Sequence, residues 1–485
     1  MNNAKLLTSF IKKKEYEVHI KNEGLPLLRF DSQYLLNLNV YENFLQRFKA
    51  NRVNIVSFEE LGTLRKGQEK SDGVKALGIM VKSISKLSIH PLKLELKSVS
   101  KNSLVTSQNL AIISTGIGSI GRSGIVPRYL INDLAKEIID ASLPFGVTQH
   151  IIKFEVENKD ISPYYIIALL NSYYGKLLIE GIATYGATGQ LEVHVETLSR
   201  LKLPIIDIHK SVASIAESAI EDYEAKAWRA YFRAMKIVEE HFGTEVEEVS
   251  GISSYKEVRT YGRLDPKFYI YLNALRRLSK AQILRANELF DVKLGTAPRS
   301  REYKSIEQGT PYVSYNAIDD SGFIDEELFY RLPNLPKTTA KARKFGILIT
   351  SVAHSVEGIG KVGMLYPYDD MPCMTGLAIL NPSDTKLRTV AQKINYLKEI
   401  PIEDFMLYTF ALLKSSLMRK VMQTLTYGLT AQISKKDIEN LPIPLIKDLL
   451  DSDIASLSRE FVENMYQANS LKRKAIAELE KYLIS

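Results

Sequence analysis

Apolar and small residues fall at Val212, Ile215, Ala216, Ala219, Ile220, Tyr223, Ala227, Ala230, Ala234, Ile237 and Val238, with no glycine or proline between Asp207 and Phe242. That three-and-four spacing traces one helix face and predicts a helix over 207–242, stopped by Gly243. A second stripe opens at Ile454-Ala455-Ser456-Leu457, which repeats Val212-Ala213-Ser214-Ile215 242 positions later. It continues through Phe461, Val462, Met465, Ala468, Leu471, Ala475, Leu479 and Leu483. Helices of roughly 30 residues extend about 45 Å. Two of them with matching apolar seams predict an antiparallel pair that acts as a spacer. Separate packing of each helix on its own domain is the alternative.

Ahead of each helix the period changes. Short β-rich runs occur at Ala111-Ile112-Ile113-Ser114-Thr115, from Gly146 to Phe154, at Gly346-Ile347-Leu348-Ile349-Thr350 and at Gly376-Leu377-Ala378-Ile379-Leu380. A helical stretch follows in each case, from Tyr164 to Leu178 and from Phe405 to Val421. The punctuation is duplicated too. Arg29-Phe30-Asp31-Ser32-Gln33-Tyr34 returns as Arg263-Leu264-Asp265-Pro266-Lys267-Phe268, and Thr184-Tyr185-Gly186-Ala187-Thr188-Gly189-Gln190 as Thr426-Tyr427-Gly428-Leu429-Thr430-Ala431-Gln432. Copies spaced by 234 and 242 positions are domain-sized, far beyond the roughly 20–50 residues of a solenoid unit. The chain therefore reads as α+β, a pseudo-twofold internal repeat of two similar domains separated by two long antiparallel helices. The expected division is an extension at 1–24, domains at 25–206 and 256–446, and helices at 207–255 and 447–485.

Charge sharpens this division. The net +8 resolves into +7 for 1–206, −5 for 207–255, +7 for 256–446 and −1 for 447–485. Two equally basic blocks around an acidic segment suit a polyanion, since neutralised phosphates release counterions; simple solubility is the alternative. No apolar run nears the roughly 18 residues that span a bilayer, and no signal-like segment follows Met1-Asn2-Asn3-Ala4-Lys5, so a cytoplasmic protein is expected. The single Cys373 excludes a disulfide framework.

The catalytic inventory is empty. Gly116-Ile117-Gly118-Ser119-Ile120-Gly121 and Gly358-Ile359-Gly360-Lys361-Val362-Gly363 fit the dinucleotide glycine pattern, but strand-like residues follow where a helix N-terminus is needed. What the copies share is a Gly-(Arg/Lys)-x-Gly hairpin tip. It is either a plain turn or a phosphate contact through Arg122 and Lys361. There is no Gly-x-x-x-x-Gly-Lys-Ser/Thr loop and no His-Glu-x-x-His, and His194 and His354 read as surface or packing residues. No Asn-Pro-Pro-Tyr or Asp-Pro-Pro-Tyr is present; Ser162-Pro163-Tyr164-Tyr165 comes nearest. Arg65-Lys66-Gly67-Gln68 aligns with Lys293-Leu294-Gly295-Thr296, each preceded at one distance by Glu60-Leu61 or Glu288-Leu289, and Arg299, Arg301 and Lys304 follow the second. Arg and Gln suit base edges and Lys suits phosphate, against the plain alternative of a solvated loop.

In order and in duplicate, these features resemble the specificity subunits of type I restriction–modification systems. The resemblance rests on the Arg-Phe-Asp and Arg-Leu-Asp starts, the Gly-(Arg/Lys)-x-Gly turns, the Thr-Tyr-Gly…Gln segments, and the leads Leu203-Pro204-Ile205-Ile206 and Leu441-Pro442-Ile443-Pro444. It covers nearly all of the chain from about Leu25. It implies two target-recognition domains that each read half of a split double-stranded DNA site, with the helix pair fixing the gap. It also implies two modification subunits, which supply S-adenosylmethionine and the methyl transfer, leaving this chain without a cofactor or catalysis. A motor-nuclease subunit can join, and some relatives instead serve a fused nuclease–methylase. The helix face carrying Glu217, Glu221 and Glu224 is expected to stay open to the modification subunits. Candidate DNA contacts are Arg65, Lys66, Gln68, Arg122, Gln190, Lys293, Arg299, Arg301, Lys304, Lys361 and Gln432. The rival from another class, a fused or solitary adenine methyltransferase, lacks its motif here.

Overall fold

The computed structural model describes residues 32–115, 119–134, 143–185, 191–242, 265–279, 282–298, 309–332, 335–428 and 431–484. They form two compact units. One takes the described residues up to Ala225 and those from Gln467 onward; the other is Lys226–Tyr466.

The first unit is built on an antiparallel sheet of β1 (Gly62–Lys66), β2 (Leu110–Ile113), β3 (Ser123–Ile125) and β4 (Ile151–Val156), in the order β1-β4-β2-β3. Central β2 is buried at every position, as its unbroken Leu-Ala-Ile-Ile demands. The helix Pro163–Leu170 packs against β3 and against the helix His209–Glu217. A second sheet, led by the long strand Glu69–Ile79 and its partner Glu95–Val99, completes the core. The expected run from Gly146 to Phe154 is two strands, Phe145–Val147 and β4, parted by the turn at 148–150. The expected helix over 164–178 breaks at Asn171, because the Ser172 hydroxyl caps a new helix, Tyr173–Lys176, by accepting from Gly175 N.

The second unit repeats this plan with β5 (Asp291–Leu294), β6 (Ile347–Thr350), β7 (Val362–Met364) and β8 (Leu377–Asn381), in the order β5-β8-β6-β7. Its helical stretch breaks in the same way, at Ser415, which caps Ser416–Thr424. Details of hydrogen bonding recur. Gly67 N donates to Ile151 O and Gly295 N to Leu377 O, both at 2.8 Å. A side chain at either glycine would strike a backbone carbonyl, of Thr148 at 2.2 Å or of Met374 at 2.0 Å. Tyr165 Oη donates to Pro204 O at 2.5 Å, and Tyr408 Oη to Pro444 O at 2.8 Å.

Helix runs from 209 to 242, with a π segment at Ser218–Glu224, and again over Ile454–Ile484. In the first unit Asp207 meets Tyr482 (3.4 Å) and Glu224 meets Lys472 (2.9 Å), an antiparallel order. In the second, Phe461 packs 5.1 Å from Tyr231 and 6.3 Å from Trp228. The acidic face expected to lie open is instead engaged. Glu217 pairs with Arg128 at 2.6 Å, and Glu221 accepts from Arg128 N, Tyr129 N and the Tyr164 hydroxyl. Glu224 is buried against Lys472. Carboxylates on a helix need not face water when a basic domain supplies donors of its own.

Candidate nucleic-acid interface

One end of each sheet gathers the polar residues. In the first unit Lys66 pairs with Ile152 across the β1–β4 register, Ile113 with Ile151, and Ile112 with Ser123. The strand ends therefore bring Lys66, Thr115, Arg122 and His150 to a common edge. The ribbon Thr184–Tyr185 with Glu192–Val193 joins them through a bridge between Thr115 and Glu192. Thr115 Oγ1 lies 2.8 Å from His150 Nδ1, and Gln149 Nε2 3.3 Å from His150 Nε2. Lys66 forms an ion pair with Glu192, whose other oxygen accepts from the Tyr185 hydroxyl at 3.4 Å.

Arg65 and Lys66 are both exposed, but neighbours on a strand point to opposite faces, so they serve different surfaces. The Lys66 ammonium, expected to be available to phosphate, is engaged by Glu192. Exposed pairs contribute only about 0–1 kcal/mol, so a phosphate or base edge competes for it readily. Gln68 is fixed by its backbone, which donates to Ser103 Oγ at 2.8 Å and accepts from Ser100 N at 2.9 Å, while its side chain is exposed.

The Gly-(Arg/Lys)-x-Gly segments lie at the foot of a longer loop rather than at a hairpin tip. Gly121 (φ +83°) donates to Ile113 O at 3.0 Å, and Gly360 (φ +75°) to Thr350 O at 3.1 Å. Left-handed backbone turns the chain back into β3 and β7 at these points. Arg122 is exposed. Lys361 is half-buried and pairs with Asp320 at 2.9 Å, so the two cations are not equivalent. Beside Lys361, the Lys414 amine donates to Asp320 O at 2.5 Å; desolvation pushes its pKa down to about 8, with Asp319 and Asp320 opposing.

Lys293 is exposed on β5, opposite Ile379. Gln432 reaches the second sheet's edge through a bridge to Val352 and paired backbone bonds with Tyr427. Gln190, Arg299, Arg301 and Lys304 lie outside the described residues.

The sequence alignment of Gln190 with Gln432 gives way to a different equivalence. Val193 N donates to Ser114 O as Ile433 N does to Ser351 O, and Tyr185 faces Glu192 as Tyr427 faces Gln432. Glu192 therefore holds the place of Gln432. Downstream, Phe58 N donates to Leu201 O as Ala286 N does to Leu441 O, so Leu441 corresponds to Leu201 rather than to Leu203. His194, expected as surface or packing, caps the helix Val195–Arg200 where Ser434 caps Lys435–Glu439. Sequence reasoning also passed over Tyr185 and Tyr427, large side chains left 38% and 52% exposed at the two sheet edges. Their place in the repeated Thr-Tyr-Gly motif was the available signal.

Among the described residues no group of three or more His, Cys, Asp and Glu side chains could hold a metal, and no helix is long and apolar enough to cross a membrane. No family model matches the chain, and no curated protein matches it. Solved structures do. A type I restriction–modification S subunit from M. genitalium is 15% identical, with 90% of this chain and 94% of that one covered and a TM-score of 0.33. A structure described as showing complex assembly and conformational transition of the type I R-M system is 15% identical, with 89% and 97% covered and a TM-score of 0.28. The HsdS subunit from Thermoanaerobacter tengcongensis is 15% identical, with 88% and 95% covered and a TM-score of 0.26. At such identities and TM-scores the likeness carries no functional weight by itself.

Proposed function

We propose that the chain is a non-catalytic, sequence-specific DNA-binding subunit of a type I restriction–modification complex. Each sheet edge reads one half of a split double-stranded site, and the paired long helices set the gap. Two modification subunits dock on it and hold the S-adenosylmethionine; motor-nuclease subunits or a fused nuclease–methylase complete the restriction form in the cytoplasm. The observation that carries this reading is the doubled sheet, with strand order and edge hydrogen bonds repeated and polar residues at two matched tip positions, Arg122 with Lys361 and Glu192 with Gln432. One molecule with two similar edges, each in a block of net charge +7, suits two similar segments of a polyanion.

The test is reconstitution. The chain with its modification subunits should methylate a split DNA motif in the presence of S-adenosylmethionine, and the host methylome should lose that motif when the gene is deleted. The pure chain should bind DNA with steep salt dependence and transfer no methyl group. Methylation by the chain alone, or a methylome indifferent to the gene, would sink the proposal.

A further inference from the structure

We infer that Lys66 and Glu192 read a G·C base pair in one half-site, and that Gln432, at the position equivalent to Glu192, reads an A·T pair in the other. This rests on the proposed DNA-reading function and names side chains within it. Glu192 and Gln432 are matched by backbone hydrogen bonds and by their facing tyrosines, not by sequence alignment, which pairs Gln432 with Gln190.

The chemistry at the matched positions differs in kind. A carboxylate only accepts hydrogen bonds, and an ammonium only donates. In the major groove, cytosine presents its N4 amino donor while its partner guanine presents the N7 and O6 acceptors. Glu192 with Lys66 is the complement of that edge: acceptor to donor, donor to acceptors. In the free protein the two groups satisfy one another. Opening so exposed a pair costs little, about 0–1 kcal/mol, and the base pair takes both partners. The Tyr185 hydroxyl holds the carboxylate from its other oxygen, which limits the conformational freedom lost on binding.

In the second unit the strand position of Lys66 is taken by Leu294, as the shared bonds of Gly67 and Gly295 show. At that strand position Leu294 offers no charge to serve guanine. An amide both donates and accepts, and the Gln432 amide fits adenine N6 and N7, with an apolar residue suited to the thymine methyl group.

The experiment selects a random DNA library with the full chain bound to its modification subunits. Glu192→Gln should change one base pair of one half-site from G·C to A·T, with preference altered at least about tenfold. The double change Lys66→Leu with Glu192→Gln should strengthen that switch. Gln432→Glu should weaken A·T at one pair of the other half-site by a similar factor. Every other position should keep its preference. Wild-type motifs from both Glu192→Gln and Gln432→Glu, each still binding DNA, would overturn the inference while leaving the functional reading intact. Failure of the unaltered complex to select any split motif would overturn that reading instead. The Glu192 side chain is 29% exposed and sits at a strand edge, so the substitution leaves the fold in place, and circular dichroism checks this.

Discussion

The two units hold their long helices with opposite charges. In the first, carboxylates on the helix reach out: Glu217 to Arg128, and Glu221 to two backbone amides and Tyr164. In the second, the residue 242 positions after Glu217 is Arg459, which pairs with Glu403 at 3.2 Å and Asp404 at 2.9 Å and lies over the Phe345 ring. A duplicated backbone has kept its shape while the docking chemistry was inverted. An acidic helix face offered to Glu403 and Asp404, or Arg459 offered to Arg128, would place like charges together. The inversion thus penalises the wrong helix on each unit, a use of repulsion to specify pairing. The helix seams differ as well, with a buried Glu224–Lys472 ion pair in one unit and Phe461 among Trp228, Tyr231 and Phe410 in the other.

The largest effects should come from those seams. Phe461→Ala removes a side chain that is 1% exposed and should destabilise the second unit by about 3–5 kcal/mol. Lys472→Ala strands a buried carboxylate and should cost the first unit about 3–5 kcal/mol, whereas replacing both Lys472 and Glu224 with leucine should be nearly neutral. Hydrogen exchange, read unit by unit, checks both. A double variant as unstable as the single one would mean that the pair is needed for itself rather than for mutual neutralisation.

Docking charges come next, and burial ranks them. The Glu221 side chain is 8% exposed, so Glu221→Ala should cost about 2 kcal/mol by leaving three donors without their acceptor. Arg459 is 31% exposed and its partners 50% and 40%, so Arg459→Ala should cost only about 1 kcal/mol, falling further at high salt. Equal losses in the two units would contradict the asymmetry argued from burial.

The scaffold was legible because its signals are periodic. Both apolar stripes became helices, and the short β-rich runs became β2, β6 and β8 within a residue or two. Register was less legible. Aligning Leu203 with Leu441, or Gln190 with Gln432, errs by two residues, and a slip of two leaves every strand residue on its original face. Hydrophobic alternation is blind to that error, and backbone hydrogen bonds correct it. The engagement of Glu217 and Glu221 was hidden for another reason. Their partners Arg128 and Tyr164 are distant in sequence and belong to a block whose charge reads as basic throughout.

Lys414 sharpens the comparison through pH. It stands where the first unit has Asn171, judged by the matched spacing of Tyr165 and Tyr408. Desolvation lowers its pKa from 10.5 to about 8, so between those values the unfolded chain binds a proton that the folded chain does not. Stability must then rise with pH across that window. Relative to Lys414→Asn, the native chain should gain about 1–2 kcal/mol between pH 8 and 10.5, with partial solvation discounted. A flat difference between the two chains across that window would remove the assignment.

Two glycines test what the units share. Gly121 and Gly360 both adopt positive φ at the foot of their loops, where an L side chain costs about 1–2 kcal/mol. An added Cβ would lie 3.3 Å from Ile179 Cβ and Glu180 Cγ in one unit and 3.2 Å from Met422 Cβ in the other, contacts only a few tenths of an ångström tighter than usual and alike in the two units. Backbone strain therefore dominates in both. Gly121→Ala and Gly360→Ala should each lower the stability of their own unit by about 1–2 kcal/mol, and by the same amount within about 0.5 kcal/mol. Arg122 and Lys361, one exposed and one paired with Asp320, follow these glycines, so the equality tests the backbone rather than the cations. Two clearly unequal losses would mean that the repeated turn is shared in sequence and shape but not in the strain that fixes it.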